Sequence, residues 1–132
     1  EELLRLKYKL ETSFVSSIWF QFGTDNTLLE RRINLVMNLI NTISNHNTRY
    51  SDILLYGSIL IPTKKFLASF KFRPWKGVNC STQFLESLDF ASDYINKLFL
   101  IYKKLCICPL IETNSSNVNE MKKIKMLLSY YT

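Results

Sequence analysis

From Ser81 to Ile107 the apolar residues recur at alternating steps of three and four: Phe84, Leu88, Ala91, Ile95, Leu98, Tyr102 and Leu105. That spacing puts them on one face of an α-helix. No Pro or Gly interrupts the run. A helix of this length would be roughly 40 Å long, enough to span a small domain. Its acids, Glu86, Asp89 and Asp93, precede its bases, Lys97, Lys103 and Lys104, as the helix macrodipole favours. Asn79, Ser81 or Thr82 is placed to cap its start, and Pro109 to stop it. Leu98 to Tyr102 is apolar all round, so the remaining segments are expected to wrap this helix.

The other segments read as helices packed on it. Leu3, Leu6 and Leu10 form a short coiled-coil seam, supported by the i,i+4 pair Glu1–Arg5. The stripe then drifts to Phe14 and Ile18 and broadens at Ile18-Trp19-Phe20. This predicts a first helix over 1–22 that enters the body as the end of a coiled coil. Gly23 to Thr27 is a turn rich in capping residues. A second helix is expected over 28–44, with Leu29, Ile33, Val36, Ile40 and Ile43 inward. Asn45-His46-Asn47 is a turn. Residues 50–61, rich in Ile and Leu around Gly57, suit a buried helix or a strand. Helix is chosen because no partner strand is evident. Pro62 opens another short helix through Phe70, followed by a linker to Asn79. The last helix runs over 118–131, with Met121, Ile124, Leu128 and Tyr131 as its stripe and Asn117 at its cap.

The expected fold is therefore all-α: a single domain over 1–132, five or six helices around the long helix at 81–107. Residues 28–131 would be the globular body. A length of 132 residues fits one domain, and 47% hydrophobic residues supply a core. The chain opens on Glu1-Glu2 without Met and is expected to belong to something longer.

Composition narrows the compartment. There is no signal-peptide pattern, and the longest apolar stretch, 53–61, is far short of the ~20 residues that span a bilayer. Three cysteines are poor material for a disulfide framework. An intracellular location, cytoplasm or nucleus, is expected. Asn79-Cys80-Ser81 and Asn114-Ser115-Ser116 are glycosylation sequons by pattern.

Little in the chain points to catalysis. There is no Gly-rich phosphate loop and no nucleophile elbow, and the one histidine, His46, sits in a turn. Cys106-Ile107-Cys108 has the wrong spacing for a zinc knuckle, and Cys80 lies at the far end of the long helix. No catalytic residue, cofactor or metal is expected, and the thiols are read as buried and inert.

Charge and aromatics suggest partners instead. Residues 1–61 carry six Lys/Arg and six Asp/Glu; residues 62–132 carry eleven and five, and 11 − 5 gives the whole net charge of +6. Such asymmetry suits an acidic partner. Lys64, Lys65, Lys71, Arg73 and Lys76 interleave with Phe66, Phe70, Phe72 and Trp75, without an acid between Pro62 and Lys76. Stacking aromatics among cations can hold single-stranded nucleic acid. Lys122, Lys123 and Lys125 would extend that patch. The favoured reading of this stretch is structural, with Trp75 buried as an anchor and the cations in water.

These features point to a non-enzymatic role: a homodimerising, protein-binding end domain of a larger coiled-coil scaffold, cytoskeletal or nuclear by analogy of architecture only. Its interface candidates are Leu3, Leu6, Leu10, Phe14 and Ile18. A basic-aromatic nucleic-acid binder and a monomeric bundle with an apolar groove for a partner helix are the alternatives.

Overall fold

The computed structural model describes residues 1–12, 14–44, 52–113 and 117–131, and of Tyr130 the backbone alone. The expected turn at His46 and the Asn114 sequon lie outside the described residues.

The chain is mixed α/β, and the all-α expectation is corrected. Its order is α1 (Glu2–Glu11), β1 (Ser17–Phe20), α2 (Asn26–Ser44), β2 (Leu54–Leu60), α3 (Lys64–Phe72), α4 (Thr82–Glu86), α5 (Leu88–Lys104), β3 (Cys108–Glu112) and α6 (Val118–Tyr131). The three strands form one sheet in the order β1-β2-β3, parallel throughout. Parallel strands need long crossovers, and here α2 and then α3 to α5 supply them.

The strand at β2 settles the ambiguous stretch against helix. β2 is buried on consecutive residues from Gly57 to Leu60, so this half of the strand shows no alternation between faces. Its partners are short. β1 uses Ile18, Trp19 and Phe20, β-branched and aromatic residues that suit a pleated surface. β3 carries Pro109, which lacks an N–H, and is tolerated because β3 lies at the sheet edge. The first helix accordingly ends at Glu11, half the length that the leucine seam suggested.

Gly57 in β2 marks a close approach. A Cβ at this position would lie 2.2 Å from Cζ of Tyr102, inside the ring's own volume. Tyr102 fills that space and donates a hydrogen bond to the Ser58 carbonyl at 3.1 Å. Ser58 in turn is buried, and its hydroxyl is bonded to the Glu112 carboxylate on β3.

The organising stripe survives, but on two helices. Ser87 adopts an extended backbone (φ −126°, ψ 114°), ends α4 and caps α5 by accepting from the Phe90 amide at 3.2 Å. Ser81 caps α4 in the same way through Phe84. The long helix at 81–107 is thus corrected to five residues plus seventeen, and α5 is roughly 25 Å long. α5 buries Ala91, Tyr94, Ile95, Leu98, Phe99 and Tyr102. It packs against β2, β3, α4 and α6, while α1 packs on α2. One continuous core results, joining the sheet to α2 through α6.

A candidate ligand cleft at the carboxyl end of the first strand

After β1 the chain passes through Gln21, buried Phe22 and Gly23 into α2. Asp25 starts that helix: its carboxylate accepts from the Leu28 amide at 2.9 Å and its carbonyl from the Leu29 amide at 3.0 Å. Phe22 is fixed by an aromatic cluster. Its ring lies 5.7 Å from Phe84 and 6.3 Å from Tyr94, and those two rings are 5.6 Å apart. The Tyr94 hydroxyl then donates to the Gly23 carbonyl at 2.8 Å.

The turn is also sewn to a distant segment. Gly23 forms an isolated parallel bridge with Asn79. The Thr24 amide donates to the Asn79 carbonyl at 3.1 Å, and the Ser81 amide donates to Thr24 Oγ1 at 2.7 Å. Between these two tied segments and the first turns of α2 lies an open cleft of about 600 Å³. Its polar lining includes Gln21, Thr24, Asp25, Asn26, Arg32, Asn79 and Ser81.

The electrostatics of the cleft are mixed. Arg32 is exposed and takes part in none of the ion pairs among the described residues. Asp25 is engaged in capping. Among the described residues Asn26 Oδ1 is buried with no hydrogen-bond partner, and Asn26 is part of the cleft lining. Burial pushes the Cys80 thiol up to about 11, so this sulfur is neutral near pH 7 and a poor nucleophile. Burial, then the neighbouring Tyr102, Asp25 and Cys80 charges, raise Tyr94 well above the ordinary phenol value. Tyr94 therefore remains a hydrogen-bond donor. The arrangement suits binding through hydrogen bonds and one cationic contact.

The residues singled out in the sequence fall elsewhere. Leu10 is buried, Leu6 packs on the core, and Leu3 is exposed, so most of the α1 seam faces its own chain. Phe14 stands 92% exposed in the connection to β1, and Ile18 is half-buried in that strand, so neither continues the helical seam.

The basic-aromatic residues are split. Lys64 and Lys65 open α3; Lys71 and Phe72 close it; Arg73, Trp75 and Lys76 follow. Lys122, Lys123 and Lys125 lie on α6, and Lys123 lines a groove with Pro62, just ahead of α3. Lys71 pairs with Glu86 at 3.3 Å. The expected burial of Trp75 is corrected: the ring is 47% exposed, because Phe66 and Phe70 already take the core positions. It rests edge-on against them at 5.7 and 5.9 Å. Phe72 is 91% exposed between Lys71 and Arg73.

The thiols are corrected too, since Cys106 and Cys108 are exposed. Among the described residues no group of three or more His, Cys, Asp or Glu is placed to hold a metal ion. No helix among them is long and apolar enough to cross a membrane.

The cleft residues were missed in the sequence. The available signal was Ile18-Trp19-Phe20 running into Gly23-Thr24-Asp25 and then a helical stripe, a strand–turn–helix pattern. No protein family, curated protein or solved structure matches this chain.

Proposed function

We propose that this chain is a small-ligand-binding α/β unit, taking a polar ligand with one anionic group in the cleft beside β1. One observation carries this reading: the turn after β1 is tied by hydrogen bonds to residues 79–81 around an open polar space. In open parallel sheets, ligands bind outside the carboxyl ends of the strands where the strand order reverses; the order β1-β2-β3 has no reversal, so the tied turn itself supports the site. A preformed concavity with a few convergent polar groups is the usual form of such a site. Arg32 supplies the cationic contact, and the Thr24, Asn79 and Ser81 side chains supply hydrogen bonds.

Titrating the 15N-labelled chain with inorganic phosphate, a sugar phosphate and a nucleoside monophosphate tests the proposal. At least one of the three should shift the amides of Gly23, Thr24, Asn26 and Ser81. Arg32→Ala should weaken that binding about tenfold, the loss of one charge-assisted hydrogen bond. Shifts confined to α3 and α6, or none at millimolar ligand, would contradict the cleft.

Self-association is a second reading, supported by exposed apolar groups on one sheet face. Trp19, Leu54 and Leu110 fall on that face by register and are exposed, whereas parallel sheets normally have both faces covered. A homodimer by light scattering would favour it, and a monomer at tens of micromolar would remove it.

A further inference from the structure

The turn between α5 and β3 holds a cysteine where a glycine is usual. The Ile107 amide donates to the Tyr102 carbonyl at 2.9 Å and the Cys106 amide to the Lys103 carbonyl at 3.3 Å. These two bonds are the Schellman closure of a helix, with Cys106 at the position that takes a left-handed backbone. Its φ is +54°, the one positive φ at a non-glycine residue among those described. A side chain held in that region costs energy, and such outliers gather at functional positions.

The next residue but one is a second cysteine. Ile107 between them is fully buried and fixes the turn, while Cys106 and Cys108 are both exposed. Residues two apart have Cα atoms at most about 7 Å apart. Disulfides span Cα separations of roughly 4.4–6.8 Å, so the ranges overlap. The Tyr131 hydroxyl donates to the carbonyl of Ile107, the residue between the two cysteines in sequence. Burial and then the Cys108 and Cys106 charges raise Tyr131 above its ordinary value. The third cysteine, Cys80, is half-buried and borders the cleft instead.

We propose that Cys106 and Cys108 are a redox-active pair, which closes reversibly into an intrachain disulfide by exchange with low-molecular-weight disulfides. The first cysteine to react loses its proton to water and attacks one sulfur of the small disulfide. That S–S bond breaks, a mixed disulfide forms, and one small thiolate leaves. The second cysteine, also deprotonated, attacks the protein sulfur of the mixed disulfide and expels the second small thiolate. Both leaving thiolates take up protons. Two electrons pass from the cysteine pair to the small disulfide, which is reduced to two thiols. Exposure and a tight ring make such a bond easily reduced, as labile disulfides are.

Treating the full chain with excess oxidised glutathione tests this directly. Intact mass should fall by two hydrogens without an adduct, and titratable thiols should drop from three to one. A peptide holding the 106–108 link should be recovered, and dithiothreitol should restore all three thiols. Cys108→Ser should instead keep one glutathione on Cys106. Phenylarsine oxide, which bridges neighbouring thiols, should block alkylation of both cysteines in the native chain, and should leave the one remaining cysteine of the pair open to alkylation in each single Ser variant. A native chain carrying separate glutathiones on Cys106 and Cys108, disulfide-linked dimers, or three unreacted thiols would overturn the proposal.

Discussion

Gly57→Ala is expected to cost about 2–6 kcal/mol of stability. The new Cβ would lie 2.2 to 2.6 Å from three atoms of the Tyr102 side chain, far inside contact distance. Tyr102 is fully buried on α5, so the ring cannot move without disturbing its neighbours in the core. Overpacking alone costs about 1–3 kcal/mol. Displacing the ring also removes its hydrogen bond to the Ser58 carbonyl and leaves a buried polar group unpaired, a further penalty of roughly 1–3 kcal/mol. Natural domains hold only about 5–15 kcal/mol in total, so the variant should be at or near unfolding. Urea melts measure this. Adding Tyr102→Leu should make the double variant more stable than the sum of the single losses, because the clash disappears with the ring. Strict additivity would mean that Gly57 and Tyr102 do not meet.

Leu98→Ala should cost roughly 2–5 kcal/mol. Leu98 sits in the middle of α5 with 0% exposure, in the cluster that joins the sheet to the helices. Leu100, two positions on along the same helix, is 67% exposed. Leu100→Ala should therefore stay within about 0.5 kcal/mol of the native chain. Equal losses at both positions in denaturant melts would show that the buried face of α5 is assigned wrongly.

The helices were legible because their signals are local. The α5 stripe, the caps near Ser81 and Asn117, and the 118–131 span follow from spacing and side-chain chemistry within a few residues. Ser87 was missed because the apolar spacing runs through it unbroken; only its capping bond separates α4 from α5. The sheet was hidden for a different reason. β1 is four residues long, and Phe14 and Ile18 happen to follow Leu10 at steps of four, so the strand resembled a helical tail. β2 is an unalternating apolar run, the one pattern that periodicity does not distinguish from a buried helix. Gly57 was its best clue, since glycine inside a strand often marks a close backbone approach. Of the cleft only the strand–turn–helix pattern from Ile18 to Asp25 was legible, and not the segment that closes it. It depends on Gly23 and Thr24 meeting Asn79 and Ser81 across more than fifty residues, through backbone groups and the Thr24 hydroxyl, and no local spacing signals that meeting.

Inter-strand NMR contacts are decisive for both sheet and cleft, because the cleft exists only if the parallel sheet carries β1 to residues 79–81. Cross-strand backbone contacts should link Trp19 to Tyr56 and Tyr56 to Cys108, in parallel register, together with contacts between Gly23 and Asn79. The Thr24 amide, held by the Asn79 carbonyl, should exchange slowly. Continuous helical contacts from Glu2 through Phe22 and across residues 53–61, with no cross-strand contacts, would contradict both the fold and the site built on it.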